Sequence, residues 1–492
     1  MHSVRLPGPS GAWADLGAMR LHTGLRRVLG LVEDLGLGAD LVPFEFGRPE
    51  NLFHLRGSRT RQGDLAGAAL PYRLRPAERG LAPGALADRV AQTLVPGFTE
   101  SRRTHHEARA RGDRSVADRA LADFRSRCRT GRLHNRPLEE ATWSDALRAV
   151  LSGDAVAFVH DAGGYDVSAG GEGATAQLDL LYRTPPDAEY VCLRRGMESL
   201  PRALHERFTQ AGGVTRLGHR LVRVERGGAP GEGSGRRRHR LLFRRSDTRG
   251  RLLPGHVRVC ADAVVLALPP GPLGALDLTG LPVGAHLSAD LAAVEAVPAL
   301  KLFHLYRRPW WRDLGLSRGR STTDAPLRQL WYGSTCQPPG GDPHPSPAPM
   351  LAAYPSGPSV GQWLSGRIGE GPAGDHAFPS AGDAPAPGAA VVARAHALLR
   401  HVHGLPSLEP PLAACWRDWS SGAWHTRRPG HDPRALARRM GQPAARERVH
   451  VVGDCWTHDP GSVEGTLDSA EAVLREHFAL PLPEWYRDSG AR

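Results

Sequence analysis

Lysine is almost missing from this chain: of its 63 basic residues, all but Lys301 are arginine. Long hydrophobic runs are missing too. No stretch of about 18 apolar residues occurs, which excludes an ordinary membrane-spanning helix. The opening residues MHSVRLPGPSGAW hold no apolar core, so no secretory signal is read there. The six cysteines, at 128, 192, 260, 336, 415 and 455, are scattered without a CxxC pair. That spacing argues against a metal framework and predicts reduced thiols in a cytoplasmic protein. No internal repeat is present.

What the chain has in plenty is arginine, Gly 58 and Pro 42. Its 492 residues suffice for two or three cores, and a mean hydropathy of −0.36 suits a soluble globular protein. The net charge of +12 invites a nucleic-acid reading. The basic residues are spread along the chain, however, and the densest cluster, GRRRHR at 235–240, reads as a hairpin tip. A solvated arginine-rich surface is the better expectation, with no nucleic-acid partner.

Periodicity predicts an amphipathic helix in GLRRVLGLVEDLGL, then an extended aromatic stretch, VPFEFGRPENLFHLRGSR. Residues 83–160 carry helical spacing, as in ADRALADFRSRC and TWSDALRAVLSG. After the helix in RRGMESLPRALHERFTQAGG, the strands VTRLGHRLVRVERG and HRLLFRRS predict a β-meander. ADAVVLALPPGPL reads as a buried strand stopped by prolines. Strands are also expected around Lys301, at RQLWYGS and at PMLAAYP. The chain closes with strand RVHVVGD, a glycine loop and helix VEGTLDSAEAVLREHF.

Three segments carry chemistry. In the last unit, Asp454 follows a buried strand, and a helix opens at Gly461–Gly465. Helix N-termini present unpaired N–H groups and partial positive charge, and Asp454 can accept from a hydroxyl. The plain alternative is a βα unit whose Asp caps a helix. In ADLGAMR, Gly17 and Ala18 permit close approach of a flat ligand, and Arg20 suits bidentate binding of a carboxylate or phosphate. The alternative there is a tight turn with a surface arginine. Lys301 sits in the apolar run VPALKLFHLY. A slender ammonium can enter such a place and shift its pKa toward neutrality, as arginine cannot. A lysine snorkelling from a strand edge is the competing view.

WADLGAMRL, RRGMESLPRAL, ALKLFHLYRRPWWRDLGLSRGRSTTDAPLRQLWYG and VHVVGDCWTHDPGSVEGTLDSAEAVL occur in the same order as in flavin-dependent L-amino-acid oxidases. The chain thus resembles that branch of the flavin amine oxidase superfamily. The resemblance implies an α/β, two-domain fold with a discontinuous FAD-binding domain and a substrate domain of mixed sheet plus helices. The implied division is 1–55, 190–290 and 440–480 for FAD, and 56–82 with 291–439 for substrate. A helical subdomain would occupy 83–189, and loop insertions 337–390.

The resemblance also implies roles. Gly17, Ala18, Met19 and Arg20 would lie along the isoalloxazine, with Arg20 pairing the substrate carboxylate. Leu221 would meet the adenine, and Asp454 the ribityl chain. Gly461, Ser462, Val463, Glu464, Gly465 and Thr466 would form the loop and helix start beneath the flavin, Gly461 and Ser462 also bordering substrate. Tyr332 would bond the substrate carboxylate, although Trp331 beside it leaves that register open. Trp424 would wall the cavity, and Lys301 would be catalytic, holding a water at the flavin N5. No metal is implied. The partners are an amino acid and O2, and a homo-oligomer is compatible with the sequence.

The activity implied is oxidative deamination of an L-amino acid, with amine or polyamine oxidation and 2-monooxygenation as rivals. A G-x-G-x-x-G turn after a strand is wanting: GEGATA at 171–176 fits loosely but has no buried strand before it. Three expectations follow: Met1 is internal to a longer protein, a separate subunit supplies that βαβ unit, or the chain is a non-catalytic remnant. The first is favoured.

Overall fold

The computed structural model describes residues 1–7, 12–166, 171–227, 239–247, 250–333, 347–364 and 386–488. Most of the basic cluster at 235–240 and of the 337–390 stretch lies outside the described residues. Two compact units are formed. One comprises Met1–Arg202, Val297–Ala423 and Ser489–Arg492, the other Ala203–Ala296 and Trp424–Asp488.

The first unit is built on a seven-stranded mixed sheet. Its order is Ala413–Arg427, Val294–Tyr306, Ala348–Ala353, Gln329–Tyr332, Arg320–Thr323, Leu52–Leu55 and Ser58–Arg61. From Val294–Tyr306 onward the pairings are antiparallel, save the parallel step between Arg320–Thr323 and Leu52–Leu55. Leu300, Leu302, Leu330 and Tyr332 point into one apolar core, closed by Trp311, Trp363 and the helix Ala389–His403. Side chains alternate along a strand. Lys301, between Leu300 and Leu302, therefore takes the other face.

The same unit holds a helical cluster of Pro83–Leu94, Phe98–Ala110, Arg114–Thr130, Trp143–Val150, Gly153–Gly163 and Ala174–Arg183. The sequence sets its starts through side-chain caps. Asp113 accepts from Val116 N, Ser152 from Ala155 N, and Thr142 forms a capping box with Asp145. Its core is aromatic, with Phe124 stacked on Tyr182 at 4.0 Å between centroids. GEGATA opens the helix Ala174–Arg183, and the described element before it is the helix Gly153–Gly163 rather than a strand.

The second unit contains the two predicted meander strands, His219–Arg226 and His239–Arg245, and a third that the sequence reading did not name, Val257–Ala261, all antiparallel. Val264–Leu266 pairs in parallel with Val449–Val451. This strand departs from the expectation of full burial. Val265 is 45% exposed while Val264 and Leu266 are buried, so among the described residues only one face of this strand is covered. The helix Val463–Phe478 begins and ends where the sequence places it. Val224, Leu266, Met440, Val451 and Trp456 centre this unit's core.

The cysteines depart from expectation at one position. Cys128, Cys260, Cys415 and Cys455 are free, but Cys192 is disulfide-bonded, so the thiols are not uniformly reduced. No described helix is long and apolar enough to cross a membrane.

Candidate active site

Lys301 is 2% exposed, which removes the snorkelling alternative. Its ammonium donates to Asp15 O at 2.9 Å and Gly17 O at 2.6 Å, and lies 3.1 Å from Met19 Sδ. It also sits 4.9 Å from the centre of the Tyr354 ring. Burial pulls its pKa down to about 7, with Asp15 raising it and Arg20 lowering it. The Asp15 carboxylate is itself held by Ser3 Oγ and Met197 N. The lysine therefore ties the central strand to the 15–19 backbone. Ala18, between two residues it touches, remains exposed.

Arg20 enters a box of aromatic rings. Its guanidinium carbon is 4.7 Å from the centre of Phe46, 5.2 Å from Trp331, 5.6 Å from Tyr190 and 5.7 Å from Phe44. One N–H donates to the Tyr165 hydroxyl at 2.9 Å. A second guanidinium, that of Arg320, is 4.6 Å from Phe46 and 5.9 Å from Trp331. Among the described residues neither arginine has a carboxylate at ion-pair distance; besides burial, Tyr165, Tyr354 and Tyr190 act on Arg20, and Tyr165, Arg20 and Tyr190 act on Arg320. Burial alone would raise the Tyr165 phenol, but Arg20 and Arg320 outweigh it and bring it below its usual value. Rings favour a nearby cation through their quadrupole, yet they do not neutralise it. Among the described residues the box therefore carries positive charge with no carboxylate beside it.

Trp331 and Tyr332, adjacent on one strand, part company here. Trp331 joins the box, while the Tyr332 hydroxyl turns to the opposite face. There it donates to Ser321 Oγ at 2.7 Å and lies 2.8 Å from His403 Nε2. Tyr332 is not brought to Arg20. The members that sequence reasoning missed are Phe44, Phe46, Tyr165, Tyr190 and Arg320. The aromatic stretch VPFEF and the arginine before STTD were their only signals.

In the second unit, the Asp454 carboxylate faces His425 Nδ1 at 2.9 Å and the Cys455 thiol at 3.3 Å. Burial would raise its pKa; these partners lower it, so it stays anionic with lone pairs to spare. His425, Asp454 and Cys455 have their ligand atoms within 4.8 Å of one another. Burial and Asp454 push the Cys455 thiol up. Gly461 has φ +72° and packs on Trp424. Ser462 caps the helix Val463–Phe478 by accepting from Gly465 N at 2.9 Å. Glu464 and Gly465 are buried, while Val463 and Thr466 are partly exposed at the first turn. Leu221 lies at a register shift in the meander, half-buried against this unit's core.

The candidate site residues are thus a buried lysine and a caged arginine in the first unit, and in the second a capped helix start with an acid before it. Residues 1–473 match the family model of flavin-containing amine oxidoreductases, and the chain belongs to that family. Among solved structures, an engineered putrescine oxidase is similar at 14% identity and TM-score 0.63, over 97% of this chain and 90% of that one. Cyclohexylamine oxidase from Brevibacterium oxydans is similar at 15% identity and TM-score 0.62, with the same coverage of 97% and 90%. No match is found among curated proteins. The chain is a flavin-dependent oxidoreductase, and FAD is its cofactor. The residues fit that group: a sixteen-residue helix offers a capped but open N-terminus behind Asp454, and Gly465 has no room for a Cβ.

Proposed function

We propose that the protein carries out oxidative deamination of an L-amino acid, giving the 2-oxo acid, ammonia and hydrogen peroxide from substrate, water and O2. The observation that carries this reading is the Arg20 guanidinium, boxed by Phe44, Phe46, Tyr190 and Trp331 with no acidic partner among the described residues. An amino acid brings a carboxylate to fill that vacancy of charge. A simple amine brings none, and as a cation it is repelled. The two neighbours are named for amine substrates, which favours amine oxidation as the second reading.

When bound, FAD supplies the two-electron acceptor and its reoxidation by O2. Gly17 to Arg20 would lie along its ring, Leu221 near its adenine, and Asp454 with residues 461–466 along its ribityl chain and ring edge. Trp424 would wall the substrate. The chain's own work is orientation. Arg20 holds the carboxylate, which fixes where the α-carbon sits. Lys301 holds a water: its contact to Met19 Sδ is the weakest of the three and the one a water can replace. A pKa near 7 lets it release or take a proton at physiological pH. Tyr332 has no part in this, because Ser321 and His403 occupy its hydroxyl.

The test compares amino acids with their decarboxylated amines on flavin-loaded protein, wild type and Arg20→Ala. Loss of a charge-assisted pair costs on the order of 2–5 kcal/mol. Arg20→Ala should therefore weaken kcat/KM for amino acids by two or more orders of magnitude and spare the amines. Equal loss for both, or wild-type preference for the amines, would overturn the assignment.

A further inference from the structure

Other enclosed arginines of the first unit have carboxylate partners. Arg328, 4% exposed, has Asp166 at 2.9 Å and donates to two carbonyls, and Arg125 and Arg183 share Asp179. Among the described residues, Arg320 has a 3.3 Å bond to Gly163 O and the faces of Phe46 and Trp331, with no carboxylate. Burial pulls its pKa down to about 10, and Arg20 adds to that; Tyr165 and Tyr190 oppose it. A part-buried cation without a counter-charge is costly, and two beside one ring are costlier because they repel. One carboxylate answers Arg20. Arg320 then remains unanswered.

The two guanidiniums contact the same Phe46 ring, so their separation cannot exceed the sum of two distances below 5 Å each. That span accommodates a short chain bearing a carboxylate at each end. We propose that Arg320 determines specificity by binding the side-chain carboxylate of the substrate, which is a 2-aminodicarboxylic acid of the aspartate or glutamate kind. This rests on Arg20 being the anchor of the α-carboxylate. The competing view is that Arg320 only braces Phe46 and Trp331 through its stacked plane.

The experiment measures binding of glutarate and pentanoate to the flavin-loaded protein by titration calorimetry. Turnover of L-glutamate, L-norvaline and butylamine is followed in parallel. Wild type should favour glutarate over pentanoate, and glutamate over norvaline, by about a hundredfold, as for a buried charge pair. Arg320→Met, which keeps an apolar stem beneath Trp331, should erase that preference while leaving pentanoate and norvaline within about threefold. Arg320→Lys should restore part of it, since it returns the charge without the fork. Wild type that takes norvaline as well as glutamate would overturn the inference while leaving the amino-acid reading intact. So would equal losses for both acids in Arg320→Met, which mark a brace. Butylamine turned over better than either amino acid would instead sink the anchor role of Arg20. If Arg320→Met does not fold, the wild-type preference and Arg320→Lys decide.

Discussion

Lys301 Nζ donates to the carbonyl oxygen of Gly17 at 2.6 Å, joining residues 284 positions apart in the chain. The same ammonium holds Asp15 O, so a single side chain clamps the segment that leads into Arg20. A clamp that is also a depressed base makes stability respond to pH in a definite direction. The folded pKa is about 7 and the unfolded value is near 10.5. Below pH 7 both states are protonated and the burial penalty is fully present. Between 7 and 10.5 the unfolded chain binds more protons, so stability rises with pH. Asp15 raises the folded value and Arg20 lowers it, with the Tyr354 ring against the ammonium. The unfolding free energy of wild type minus that of Lys301→Met should therefore climb from pH 7 to 9.5, by on the order of 1 kcal/mol per pH unit. A flat difference would mean that Lys301 is not neutralised on burial.

Lys301→Arg separates charge from shape. A guanidinium cannot shed its proton in this range, so this variant should lack the same rise. It should also fail to restore turnover, because its planar head displaces both the carbonyl contacts and the water proposed at Met19. Stopped-flow rates of both half-reactions near wild type in Lys301→Arg would remove the water-holding role.

Tyr332→Phe tests the face assignment. The lost hydroxyl leaves Ser321 Oγ and His403 Nε2 without it inside the core. The expected cost is about 1–3 kcal/mol in unfolding free energy, with carboxylate affinity unchanged. Trp331→Leu should do the reverse, weakening carboxylate binding because Arg20 and Arg320 lose their shared wall. Calorimetric titration of both variants with pentanoate distinguishes the two faces.

These contrasts also mark how far the sequence could be read. Lys301 stood out because it is unique and lies in an apolar run, and burial bears out the oddity. The helix from Val463 was legible from its glycine-rich entry and periodic apolar face. The aromatic box was not, because Phe44, Phe46, Tyr165, Tyr190 and Trp331 come from distant stretches. Each looks like core filling until the strands bring them together around a charge. Choosing between Trp331 and Tyr332 needed the strand's facing, since two adjacent aromatics fit a period of two in either register. Val265 was misjudged because an apolar run says that a strand is buried without saying whether both of its faces are covered.

The start of the helix Val463–Phe478 is the tightest place in the second unit, and Gly465 is the reason. A Cβ there would lie 2.1 Å from Asp459 O and 2.8 Å from Thr457 Cγ2. The first of these is backbone, so no rotamer change can relieve it. Either residues 457–460 or the first helical turn must move. Ser462 couples both, because its hydroxyl donates to Asp459 O at 3.2 Å and accepts from Gly465 N. Gly465→Ala should therefore cost about 1–3 kcal/mol in stability, the usual range for overpacking. It should also reduce retained flavin absorbance, since the helix's open N–H groups would shift away from the place proposed for them beside the flavin. Gly441→Ala is the matched control. It sits at the end of the helix Pro433–Gly441 in the same unit, and its Cβ would meet nothing nearer than 3.8 Å. That change should stay within about 0.5 kcal/mol and keep the flavin. Equal midpoints and equal flavin content in the two variants would show that the helix start has room to give, and would remove Gly465 from the cofactor site.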